Sequence, residues 1–217
     1  MYGLKQSPRQ WYKKFDNFVL GIGFVRSQYD NCFYFILSSD PIYLLLYVDD
    51  ILLISKSKSN ISELKQMLST NFDMKDLGPA KKILGMSIER DRDNFSLKVH
   101  QHDYLLKTVR KFGMHNCKPV SVPLSSHFVL TKSQSPIENS KIIKMENVPY
   151  SNAIGTIMYA MISTRPDLAY AISTLSRFMS NPGKPHWEAL KYLLRNGSAN
   201  VGLSYKKRFN SLDLVGM

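Results

Sequence analysis

Trp11, Phe15, Phe18 and Val19 recur at helical spacing behind Ser7-Pro8, a pair with helix-start chemistry: Ser7 as cap and Pro8 in the first turn. Gly21 and Gly23 end the run, while Lys13, Lys14 and Asp16 fall largely off the apolar stripe. The pattern predicts a packed amphipathic helix with a basic outer face. Strand patterns follow. Residues 32–37 are apolar and aromatic, and 38–41 (Ser-Ser-Asp-Pro) carry turn chemistry. Residues 42–48 are a continuous apolar run, as fits a strand covered on both faces. Residues 51–55 predict a third strand, set off from the second by Asp49 and Asp50. The natural reading is a hairpin with two carboxylates at its tip.

Further along, Asn60 is placed to cap a helix, with Glu63 at the capping-box position and Ile61, Leu64, Met67 and Leu68 as the buried stripe. Leu77-Gly78-Pro79 is a break. Residues 83–90 and 95–99 predict a second hairpin around Asp91-Arg92-Asp93-Asn94. Residues 101–112 predict an amphipathic helix, Tyr104, Leu105, Val109 and Phe112 inward, Lys107, Arg110 and Lys111 outward. Residues 119–149 are polar and rich in Ser, Lys and Pro, and read as a long loop or linker. Three helices are expected after it, over 150–162, 166–179 and 186–195, and 212–217 has a strand pattern. The order helix, three strands, helix, two strands suits an α+β fold with a mostly antiparallel sheet.

Composition narrows the class. The chain has 217 residues, enough for one large domain or two small ones, and is 44% apolar, so most of it should fold. Lys and Arg number 29 against 17 acids, a net +12. That balance points toward a polyanionic partner, most simply nucleic acid, although scattered basic charge without such a partner would look the same. Cys32 and Cys117 form no C-x-x-C pair, which excludes a disulfide scaffold. His100 and His102 have no matching cysteines and do not suggest zinc. Residues 1–10 lack the apolar core of a signal peptide. The longest greasy run, 42–54, is too short to span a bilayer and is interrupted by Asp49 and Asp50. The expectation is an intracellular protein without a membrane partner.

The most informative segment is Tyr47-Val48-Asp49-Asp50. Adjacent carboxylates repel, and solvent or a divalent cation can offset that repulsion. Hard oxygen ligands suit Mg²⁺, and two such ions are the common device of phosphoryl transfer. An ordinary Asp-containing turn is the plain alternative.

Tyr47-Val48-Asp49-Asp50 resembles the Y-x-D-D box of reverse transcriptases. The segment 2–11 (Tyr-Gly-Leu-Lys-Gln-Ser-Pro-Arg-Gln-Trp) resembles a signature of copia-type retrotransposon polymerases. Leu77-Gly78, Ile83-Leu84-Gly85-Met86, Gln101-His102-Asp103-Tyr104, Thr164-Arg165-Pro166-Asp167 and His186-Trp187-Glu188-Ala189-Leu190-Lys191 follow in the family's order. The resemblance covers nearly the whole chain. It implies a partial polymerase palm over 1–100, a thumb-like basic helix over 101–118, a linker over 119–149 and a helical connection over 150–217 toward an RNase H domain.

By the same resemblance, Asp49 and Asp50 are catalytic carboxylates and metal ligands for Mg²⁺, two ions in the intact family. Gln6, Tyr47 and Val48 would lie near the template, primer end and incoming nucleotide. The 83–99 hairpin looks like the primer grip, and Lys107, Arg110 and Lys111 would hold duplex phosphates. The implied partners are an RNA template, a DNA primer, dNTP and the rest of the Pol polyprotein, in the cytoplasm or a virus-like particle. The family's third carboxylate lies on a strand upstream of residue 2. Asp16 and Asp30 sit in other contexts and cannot take its role. The parent activity is RNA-directed DNA polymerisation, and this chain alone is expected to be inactive. The alternatives are a non-catalytic nucleic-acid-binding remnant using the basic helix and Lys206-Lys207-Arg208, and a chain that does not fold because an unpaired sheet edge is left open.

Overall fold

Pro8 lies in the first turn of helix α1 (Ser7–Gly21), where its missing N–H leaves no helical bond unmade. The helix begins one residue before the expected start: Gln6, not Ser7, holds the cap position, without a side-chain cap bond. In this computed structural model the described residues are 6–195, 201–208 and 211–216, and the chain divides into two compact units, Met1–Ala80 and Lys81–Met217.

In the first unit α1 is followed by β1 (Val25–Arg26), β2 (Phe33–Ile36), β3 (Ile42–Tyr47), β4 (Asp50–Ser55) and helix α2 (Lys58–Asn71). The strands form an antiparallel sheet in chain order, β1-β2-β3-β4, so each connection is a simple turn between neighbours. Aromatic and branched residues dominate β2 to β4, as a pleated, half-buried surface favours. Phe15 and Val19 of α1, Tyr34, Leu44 and Leu46 of the sheet, and Leu64 and Leu68 of α2 form the core. Trp11 stacks on Phe15 at 5.3 Å while remaining partly exposed.

Two local expectations need correction. Strand β3 is not sealed on both faces: Leu44 and Leu46 are buried, Tyr43 and Leu45 are half-buried and Tyr47 is exposed. Its other face lies outside the helix-covered core. Helix α2 is capped by Ser57, whose side chain accepts from the Asn60 N–H at 3.3 Å. Asn60 therefore lies inside the first turn, and Met67 is exposed.

The second unit holds β5 (Lys82–Ile83), β6 (Met86–Asp91), β7 (Ser96–His100) and helix α3 (His102–Lys111), then α4 (Asn139–Glu146), α5 (Tyr150–Ser163), α6 (Ala169–Ser176), α7 (Lys184–Leu194), β8 (Gly202–Arg208) and β9 (Ser211–Gly216). Its sheet is antiparallel in the order β5-β6-β7-β8-β9. Strand β8 returns after the helices to pair His100 with Gly202. Helices α5, α6 and α7 enclose a core of Ile154, Ile157, Ile172, Leu175, Leu190 and Leu193. Residues 119–149 are not bare connection: Leu124, Phe128, Leu130 and Val148 pack on that core. Residues 166–179 divide into a 3-10 turn (Pro166–Leu168) and α6. Buried Thr108, not Val109, joins Leu105 on the fully buried side of α3. Among the described residues, no helix is long and apolar enough to cross a membrane.

The molecule is mixed helix and sheet with antiparallel sheets, as an α+β chain should be.

Candidate functional site

Tyr47 and Asp50 are register partners, so β3 and β4 are joined by Val48 and Asp49 alone. Two-residue hairpin loops need positive φ at one or both central positions. Val48 supplies it with φ 52°, and Asp49 is not among the positive-φ residues. This is the II′ pattern, which ordinarily places Gly first. A β-branched residue there is strained, and such strain gathers at functional sites.

Register also fixes the faces. Leu44 opposes Leu53 and Leu46 opposes Ile51, on the core side. Asp50 therefore lies on the other face with Tyr47, Leu45 and Leu52, one residue out of phase with the core. Phe33 and Tyr43, stacked at 6.0 Å, share that face. Tyr47, Val48, Asp49 and Asp50 are all exposed. The tip thus presents two adjacent carboxylates to solvent, with Asp50 on the side away from the helices.

Neither other acid of this unit singled out by sequence is free to join them. Asp16 receives Arg26 Nη1 on both oxygens at 3.2 Å and the Tyr34 hydroxyl at 2.8 Å. Burial, aided by hydrogen bonds to Tyr12 and Asp16, pushes the Tyr34 phenol well above its ordinary range, so it stays a donor. Asp30 Oδ1 accepts the Cys32 N–H at 2.8 Å, closing an Asx turn. Among the described residues, no group of three or more His, Cys, Asp or Glu side chains could hold a metal ion. Asp49 and Asp50 are the right donor type for a hard divalent cation, but they are only two.

Gln6 is exposed at the start of α1, its carbonyl accepting the Gln10 N–H. Lys107, Arg110 and Lys111 belong to the second unit and are exposed on the outer side of α3. Lys111 is held in place by Asn152 Oδ1 at 2.7 Å and lies over the Phe112 ring. His100 Nε2 meets Glu89 at 3.0 Å, and the His102 N–H donates to His100 Nδ1.

Residues 1–126 match the family described as reverse transcriptase (RNA-dependent DNA polymerase). The chain is 50% identical over 197 residues to the retrovirus-related Pol polyprotein from transposon TNT 1-94 of Nicotiana tabacum, covering 90% of this chain and 15% of that protein. The chain belongs to the reverse transcriptase family of copia-type retrotransposons. It is also 34% identical over 196 residues to a putative transposon Ty5-1 protein of Saccharomyces cerevisiae, covering 90% of this chain and 61% of that one. Identity to the retrovirus-related Pol polyprotein from transposon RE1 of Arabidopsis thaliana is 35% over 222 residues, 99% of this chain and 14% of that protein. The chain thus spans less than two thirds of each of these relatives. No solved structure matches it.

Charge in this reverse transcriptase chain is unevenly divided. Nine Lys or Arg against eight acids leave residues 1–80 at +1, whereas twenty against nine leave residues 81–217 at +11. The carboxylate hairpin sits in the near-neutral unit, and the basic charge sits in the other. The sequence points to the α3 cations but not to Asn152, which orients Lys111 from α5; a contact 41 residues away leaves no local signal.

Proposed function

We propose that the chain is the palm-like and thumb-like portion of a retrotransposon reverse transcriptase, and that it binds an RNA template paired to a DNA primer. In this reading residues 1–100 are palm, 101–118 thumb-like, 119–149 a connecting segment packed on the helices that follow it, and 150–217 a connection toward RNase H. The observation that carries the reading is the hairpin itself: two apolar strands end in an exposed Asp49-Asp50 pair, inside the segment matched to the family.

The parent reaction is nucleotidyl transfer. The primer 3′-hydroxyl oxygen forms a bond to the dNTP α-phosphorus, the bond to the β,γ-diphosphate breaks, and pyrophosphate leaves with that electron pair. Asp49 and Asp50 would hold Mg²⁺, which supplies charge neutralisation and makes the hydroxyl easier to deprotonate. The strained turn fixes where those oxygens sit. Tyr47 and Val48, exposed beside them, form the surface on which the primer end and nucleotide rest, with Gln6 near the template. Lys107, Arg110 and Lys111 neutralise duplex phosphates. With two carboxylates and no third among the described residues, the chain alone does not extend primers. Its partner is then the rest of the Pol polyprotein, in the cytoplasmic virus-like particle of the parent element.

A second reading, a non-catalytic nucleic-acid binder, is favoured by the charge division: the +11 lies in the unit without the hairpin. Both readings require binding to a primer–template duplex that weakens with salt. Changing Lys107, Arg110 and Lys111 to Ala should lower the log–log salt slope by about one unit per lost contact. An unchanged slope would remove α3 from the interface. Mg²⁺ binding that Asp49→Asn abolishes separates the two readings: the first expects it and the second does not.

A further inference from the structure

Among the described residues, three non-glycine residues hold left-handed backbone, each at a hairpin turn: Val48, Leu84 and Phe95. Val48 shapes the carboxylate tip. Leu84 precedes Gly85 in the β5–β6 turn, and the Tyr159 hydroxyl donates to its carbonyl, so helix α5 holds it. Phe95 differs. It ends the β6–β7 loop with φ 49°, and its ring is 61% exposed and belongs to neither core. A bulky side chain in that conformation is a genuine outlier, and Gly or Asn would occupy it without strain.

The surroundings of the ring are cationic. Lys207 Nζ lies over it at 5.3 Å, and the Lys207 N–H donates to the Phe95 carbonyl at 3.0 Å. Arg90, the register partner of Leu97, is in phase with Phe95, whereas Lys206, the register partner of Ser96, is one residue out of phase and belongs to the other face. Arg90 and Arg92 are exposed on the same hairpin. Of the two nearby acids, Asp91 is occupied by the Asn94 and Asp93 N–H groups and the Asn94 amide, which hold its carboxyl below the usual range. Asp93 is exposed. The ring adds to neither core, and it offers a π-face next to positive charge.

We infer that Phe95, with Lys207 over its ring and Arg90 and Arg92 on the same hairpin, is a stacking site for an unpaired base of single-stranded nucleic acid. Aromatic rings flanked by cations bind single strands without sequence preference, because every base has a π-face and every linkage a phosphate. The complementarity that selects this occupant is the exposed ring together with Lys207, Arg90 and Arg92. The site rests on the nucleic-acid reading and uses neither the Asp49-Asp50 pair nor the α3 cations.

The test compares binding of three labelled probes to the full chain by fluorescence anisotropy: oligothymidylate, an abasic strand of equal length, and a blunt duplex. The wild type should prefer oligothymidylate to the abasic strand by about tenfold. Phe95→Ala should erase that preference without changing affinity for the abasic strand, and Phe95→Trp should keep it. Phe95→Gly should erase it while raising thermal stability, which separates binding from folding. An undiminished preference in Phe95→Ala, or none in the wild type while the duplex still binds, overturns the stacking site alone. Failure of the wild type to bind any probe overturns the nucleic-acid reading as well.

Discussion

Tyr47 lies directly opposite Asp50 across the β3–β4 hairpin, which makes Val48 and Asp49 its whole connection. The cost of that geometry falls on Val48 at φ 52°. Left-handed backbone costs an L residue roughly 1–2 kcal/mol, and glycine's extra freedom in the unfolded chain returns part of it. Val48→Gly should therefore stabilise the first unit by about 0.5–1 kcal/mol, read as a higher urea midpoint at unchanged m-value. A lower midpoint would show that the Val48 side chain makes contacts worth more than the strain.

Asp16 is expected to be structural. It bridges Arg26 on β1 and the buried Tyr34 hydroxyl on β2 from its place on α1. Asp16→Ala would leave that hydroxyl with only the longer Tyr12 bond at 3.3 Å and take the carboxylate from the guanidinium, and should destabilise the unit by about 1–3 kcal/mol. Tyr34→Phe, which leaves the Asp16–Arg26 pair intact, should cost less. An Asp16→Ala chain as stable as wild type would contradict this assignment.

His186 gives the second unit a pH dependence. Its Nδ1 accepts the Gly183 N–H at 2.8 Å, so Nε2 carries the proton donated to the Thr131 carbonyl. The ring is fully buried and stacked on Phe178 at 3.9 Å. Burial holds its pKa below 6.5, with the Thr131 bond opposing more weakly. As pH falls through about 6.5 the unfolded chain takes up this proton before the folded one does. The stability due to the neutral ring is therefore full above that pH and declines below it, with a limiting slope of about 1.4 kcal/mol per pH unit. His186→Gln should be less stable at pH 8 and show a flatter profile between pH 7 and 5. Parallel profiles would assign the dependence to other groups.

Much of this was legible because it is local. The carboxylate hairpin shows in the apolar runs on either side of Asp49-Asp50, and the basic face of α3 in the phase of Lys107, Arg110 and Lys111. What was missed is non-local. Strand β8 joins β7 from about a hundred residues away, and the fit depends on Gly202, where an added Cβ would lie 2.4 Å from the Val99 carbonyl oxygen. No periodicity announces such a pairing. The Ser57 cap was hidden because Asn60 and Glu63 imitate a capping box one turn later. The open face of β3 was hidden because a run of apolar residues does not say which faces are covered. At the candidate site, sequence shows which residues are acids; only packing shows that Asp16 and Asp30 are already engaged.

The central claim is that this reverse transcriptase chain holds nucleic acid but does not polymerise by itself. Primer extension on an oligo-dT–primed poly-A template, with Mg²⁺ or Mn²⁺, tests it most directly, run beside a binding measurement on the same duplex. The account predicts salt-sensitive binding and no extension above background. Robust extension that Asp49→Asn abolishes would contradict it.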